Sequence, residues 1–175
     1  MVNHRDASDY DAALQRHHLL PRQLLGRRCF APLFASIGPG CLGFDDFRTN
    51  GLLLPAREAA AVRLSLPLHR GPHRGYNGLV IERVGQVEAR WAAIRGRSPE
   101  SARDEAAFRL ALLQRALRRR LLSERRRPLL SRFDPLAQTV DFSALDALAD
   151  SLWPATAAPE SLVEATLAAS SAWAS

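Results

Sequence analysis

Apolar residues along this chain fall mostly at helical spacing, interrupted by short runs that suit strands. Residues 21–38 place Leu24, Leu25, Phe30, Leu33, Phe34 and Ile37 near a helical period, and Pro32 predicts a break that divides the segment in two. Gly38-Pro39-Gly40 then predicts a turn. The run Gly51-Leu52-Leu53-Leu54-Pro55, bounded by Asn-Gly and a proline, predicts a short strand, with a brief helix over residues 57–66 behind it. Upstream, a polar and loose stretch of about eight residues is expected. Tyr10, Ala13 and Leu14 then lead, in helical or extended form, to a histidine pair.

The later chain reads as helical. From about residue 68, Leu79, Val80, Val84, Val87, Trp91 and Ile94 form a candidate buried stripe. Gly75, Gly78 and Gly85 each weaken that helix by about 1 kcal/mol relative to alanine. Ser98-Pro99 predicts a fresh helix start, a capping residue followed by proline in the first turn. That helix is expected to run to about Arg127 with Leu110, Leu113, Leu117 and Leu121 on one face. Pro128 and Asp134-Pro135 close it, Ser143 with Asp146 predicts a capping box ahead of a shorter helix, and another begins near Pro159.

A chain of 175 residues, 47% apolar and 24% charged, can bury an ordinary core, and no apolar run reaches the ~18 residues of a membrane helix. Charge is distributed unevenly. All 24 cations are arginine and lie in residues 1–132, against 12 acids there, whereas residues 133–175 carry six acids and no arginine. A basic body favours a polyanion, since neutralising phosphates releases condensed counterions. The acidic tail is expected to fold back over that surface. Arginine in place of lysine is also what a GC-rich coding sequence would give. Cys29 and Cys41 have no partner at zinc-finger spacing, and the N-terminus has no secretory apolar stretch. Cytoplasmic synthesis with reduced thiols is the expectation, with signal-peptide-independent export as its alternative.

Four of the five histidines occur in two tight groups, His17-His18 and His69 with His73, and Asn50 lies between them. Adjacent side chains on a strand point to opposite faces, so His17 and His18 must do different things: one can face a metal while the other faces substrate. Positions four apart share one face of a helix, so His69 and His73 can grip a single ion. A helix starting near Leu68 or His69 would put Pro72 in its first turn, where the missing N–H has no intrahelical partner anyway. Neutral imidazole suits zinc and related divalent metals.

The runs HHLLP, NGLLLP and LHRGPHRGYN, in that order, resemble the AHH branch of the HNH/endonuclease VII superfamily of nucleases, with Arg16 standing where the family name has alanine. The resemblance spans roughly residues 12–95. It implies an α+β fold, a small ββα-metal finger embedded among helices, with residues 1–95 as the nuclease core; residues 96–175, which the resemblance does not reach, are read from their apolar spacing as a mainly helical region packed on or accessory to it. It further implies that His17, His69 and His73 hold one divalent ion (Zn, Mg, Mn or Ni), that His18 is the general base and that Asn50 orients the base imidazole. Arg16, Arg70 and Arg74 are candidate phosphate contacts. The expected activity is metal-dependent endonucleolytic cleavage of nucleic acid, DNA favoured over RNA. A toxin-type role brings an inhibitory immunity protein as candidate partner; no membrane partner is expected. The rival expectation is a non-catalytic HNH-like module that binds nucleic acid or protein. The Arg118-Arg119-Arg120 and Arg125-Arg126-Arg127 clusters fit a nucleic-acid track or a solvated helix face equally.

Overall fold

The computed structural model describes residues 3–38, 40–70, 73–123 and 143–152. Strand β1 (Leu14–His18) pairs antiparallel with β2 (Gly51–Pro55), in a register that sets His17 opposite Leu52 and His18 opposite Gly51. The ladder continues past both ends, with Ala56 N–H donating to the Ala13 carbonyl at one and Leu19 N–H to the Asn50 carbonyl at the other, and beyond β2 His69 N–H donates to the Pro55 carbonyl at 2.7 Å. Proline sits at the last position of β2, where it accepts without having to donate.

Between the strands lie α1 (Ala31–Ile37) and the one-turn α2 (Phe47–Asn50). Pro32 opens α1 in its first turn rather than breaking a longer helix, so the apolar period of residues 21–38 is shared between two short 3-10 turns and α1. Asp46 caps α2 by accepting from Arg48 N–H. After β2 come α3 (Glu58–Leu64), α4 (Arg74–Ile94) and α5 (Pro99–Leu122), and α6 (Ser143–Leu152) lies against α5. β1, β2 and α4 make a small β-β-α region embedded among the other helices, an α+β arrangement.

One continuous core joins this region to the later helices. It includes Leu19, Leu20 and Leu24 just after the histidine pair, Leu54 from β2, Val80, Val84, Val87, Trp91 and Ile94 from α4, and Leu110, Leu113, Leu117 and Leu121 from α5. Each fully buried leucine contributes roughly 1.5–3 kcal/mol. That packing carries α4 through its glycines. Two boundaries differ from expectation. α4 begins at Arg74, because His69 N–H is committed to β2 and His73 has non-helical φ and ψ of −102° and 76°. α5 stops at Leu122, because Ser123 is extended. The arginines at 125–127 and the helix expected near Pro159 lie outside the described residues.

The N-terminal stretch is tied down where it was expected to be loose. The Asn3 side chain is buried, donates to the carbonyls of Asp11 and Leu14, and accepts from Asp11 N–H. No helix among the described residues is long and apolar enough to cross a membrane.

Candidate metal centre

Alternation along β1 separates the two adjacent histidines. His17 points inward and is 1% exposed, whereas His18 is half-buried and lines an open cleft of about 260 Å³ with Arg16, Arg22, Gln23 and Asn77. The Phe47 ring stands perpendicular to His18 at 6.1 Å, and the Arg16 guanidinium lies 4.6 Å from the centroid of the same ring.

His17, His69 and His73 meet at the cleft floor. Their ring centroids are 5.1, 4.9 and 5.0 Å apart, and one nitrogen from each lies within 4.8 Å of the other two. The strand delivers His17, the bridge to Pro55 delivers His69, and the position just before α4 delivers His73. The last two therefore converge without sharing a helix.

Hydrogen bonds fix how the rings face. His69 Nδ1 lies 3.0 Å from Gln15 Oε1, and His73 Nδ1 lies 3.1 Å from Asn77 Oδ1. An amide oxygen only accepts, so each Nδ1 carries the proton and each Nε2 presents a lone pair. Those two Nε2 atoms face each other at 3.1 Å, and both ring nitrogens of buried His17 lack a hydrogen-bond partner. A cation between the rings resolves the first feature and engages one of the two His17 nitrogens, and outer partners that fix the ring tautomer, as at His69 and His73, are what metal-binding histidines ordinarily have. The three residues fit a divalent ion.

Electrostatics agree with that fit. Burial, reinforced by the neighbouring His73, His69 and His18, pushes His17 down to about 2. Burial and His73 bring His69 down to about 4. His73 is also lowered by burial, against the opposing pull of its bonds. All three imidazoles are thus neutral at pH 7, the form a metal requires. His18 is lowered chiefly by burial, then by Arg16 and Arg22, with Asp45 opposing.

Behind His18 the chain is held by buried polar contacts. Asn50 is fully buried; its Oδ1 accepts from Leu20 N–H at 2.7 Å, its Nδ2 donates to the Leu20 carbonyl at 2.9 Å, and its own carbonyl accepts from Leu19 N–H. Tyr76 donates its hydroxyl to the Leu19 carbonyl at 2.8 Å while its ring packs 4.9 Å from His17. On the His18 side the Asn50 side chain thus bonds to the backbone of Leu20, and any orienting effect passes through that backbone rather than directly to the imidazole.

The predicted arginines separate. Arg16 lines the cleft, Arg70 is exposed and ion-paired with Glu58 at 3.4 Å, and Arg74 is exposed in the first turn of α4. Arg22, paired with Asp45 at 3.1 Å, lines the cleft without having been singled out in sequence. Gln15 was missed as well. Its only signal was a position two residues before His17 on a strand, hence on the same face. Gln114, which donates to Asn50 Oδ1 at 3.2 Å, gave a weaker signal still: one amide inside a leucine stripe.

Residues 2–117 match the model of a nuclease family of the HNH/ENDO VII superfamily with conserved AHH. No curated protein and no solved structure matches the chain.

Proposed function

Because the chain belongs to the AHH family of HNH/ENDO VII nucleases, matched over most of its length, we propose that it is an endonuclease hydrolysing phosphodiester bonds, DNA in preference to RNA, with His18 as general base. The observation that carries this reading is the convergence of three neutral imidazoles, His17, His69 and His73, beside a fourth histidine that opens to the same cleft.

A phosphodiester resists hydrolysis because a nucleophile meets negative charge and the leaving alkoxide is poor. A divalent ion held by the three histidines would stabilise the negative charge that develops on the phosphoryl oxygens and on the leaving oxygen. His18 takes the proton from the attacking water. Its lowered affinity for protons keeps it in the accepting form at neutral pH. Arg16 and Arg22, flanking His18, hold the phosphates on either side of the scissile bond, and the exposed Arg70 and Arg74 extend the cationic rim towards α4. Such contacts make binding weakly sequence-specific and strongly salt-dependent.

The test is purified chain with supercoiled plasmid, with and without chelator, followed by adding back Zn²⁺, Mg²⁺, Mn²⁺ or Ni²⁺. Nicking is expected only with metal. His18→Ala is expected to lower the rate by about 10²- to 10⁴-fold while leaving metal binding in place. Absence of nicking with every metal, or a His18→Ala chain as active as the parent, overturns the proposal in favour of a non-catalytic nucleic-acid-binding module. Structured RNA in the same assay decides the substrate.

A further inference from the structure

The polar contacts behind His18 do not end within the β-β-α region. Gln114, on α5 and 6% exposed, is set among Leu110, Leu113 and Leu117. Its Nε2 donates to Asn50 Oδ1 at 3.2 Å and to the Leu42 carbonyl at 2.9 Å. One turn further along α5, Arg118 Nη2 donates to the carbonyls of Arg48 and Thr49 at 2.9 and 3.1 Å. The i and i+4 positions of one helix thus grip the short segment that carries Asn50.

Gln114 fixes more than distance. Asn50 Oδ1 accepts from both Leu20 N–H and Gln114 Nε2, while Asn50 Nδ2 donates to the Leu20 carbonyl. With the amide reversed, an NH₂ group would face two donors, so Gln114 favours one orientation of Asn50 over the other. A leucine at 114 would continue the apolar stripe and would not bury an amide. A buried hydrogen bond adds only about 1 kcal/mol net, so orientation is the larger consequence of an amide here.

We propose that Gln114 is a positioning residue for His18, acting through Asn50 and the backbone of residues 19–20, so that α5 bears on the site through this one side chain. The proposal rests on the reading of His18 as general base. Neither Gln114 nor Asn50 lines the cleft; both act from behind it.

The experiment compares Gln114→Leu, Asn50→Ala and their double variant with the parent, and uses Leu110→Ala as a variant that loosens α5 without touching Asn50. Asn50→Asp replaces Asn50→Ala where the latter does not fold. Three quantities are read below the melting temperature of every variant: plasmid cleavage, amide exchange at Leu20, and the ring resonances of His18. Gln114→Leu is expected to lower kcat about 10- to 100-fold, the scale of a small misplacement of a reacting group, with KM and metal affinity close to the parent. Leu20 amide exchange should quicken and the His18 resonances should move. Leu110→Ala should lose stability and keep its kcat. In the Asn50→Ala background, Gln114→Leu should add little.

An unchanged kcat in Gln114→Leu, an equal loss in Leu110→Ala, or independent multiplication of the two losses overturns the proposal. If the parent itself cleaves nothing, the nuclease reading falls. The positioning role is then decided by Leu20 exchange and the His18 resonances, and no change in either overturns it.

Discussion

A strand places neighbours on opposite faces, and at His17 and His18 that simple rule divides two identical side chains between a buried cluster and an open cleft. Burial completes the division. The folded chain refuses protons at His17 down to about pH 2, whereas an unfolded imidazole takes them up near 6.5. Metal-free protein should therefore have its full stability above pH 6.5 and lose it as the pH falls below that value. The slope from His17 is up to about 1.4 kcal/mol per pH unit. Denaturant titrations between pH 8 and 4 read this directly: His17→Leu should flatten the slope, and a parent of level stability across the range contradicts the argument. The bonds to Nδ1 make a second residue-scale prediction. Gln15→Leu or Asn77→Leu should weaken metal binding by about 10- to 100-fold with little change in melting temperature. Equal affinity for parent and variants, measured by calorimetry, would remove both residues from the centre.

Elements were legible in proportion to how local their causes are. The strand at residues 51–55 and the helix start at Ser98-Pro99 follow from neighbours in sequence, and both stand where expected. The convergence of His69 and His73 was expected for a different reason, a shared helix face. In the structure a hydrogen bond to Pro55 fixes one and the start of α4 fixes the other. Long-range pairing of that kind leaves no periodic trace, and neither does the bond from Gln114 to Asn50. The meeting of α2 and β2 yields a further prediction. Gly51 lies opposite His18 in the ladder, and a Cβ there would overlap the ring and the carbonyl oxygen of Phe47, the ring that packs against His18. Gly51→Ala should lower both the melting temperature and the cleavage rate, whereas Gly78→Ala, at an open position on α4, should leave the rate unchanged and raise helix stability slightly. Parent-like cleavage by Gly51→Ala would show that Phe47 can move without disturbing His18.

For the whole molecule, the opposition of a basic body and an acidic tail takes a definite form in the part of the tail that is described. Asp146 of α6 pairs with Arg83 of α4 and lies 3.6 Å from Arg109 of α5, and Ala149 is buried. A carboxylate held by two guanidinium groups occupies positions that a phosphate could also use. Asp146→Asn should therefore tighten binding of a short duplex at low salt, with the gain disappearing as salt rises. Fluorescence anisotropy across a salt series measures it. Affinity equal to the parent at low salt would place Arg83 and Arg109 away from the nucleic acid.

The bond from α5 to Asn50 also sets an order in time. Asn50 and Gln114 are 64 residues apart in sequence, so their meeting closes a long loop and comes late in folding compared with the local turns of α4 and α5. The three clustered histidines all precede residue 74, so their gathering draws on no side chain of α5. During refolding, metal uptake should consequently run ahead of the recovery of cleavage, and a chain interrupted before residue 114 should hold an ion it cannot use. Competence to cut would then report that the last long helix has docked.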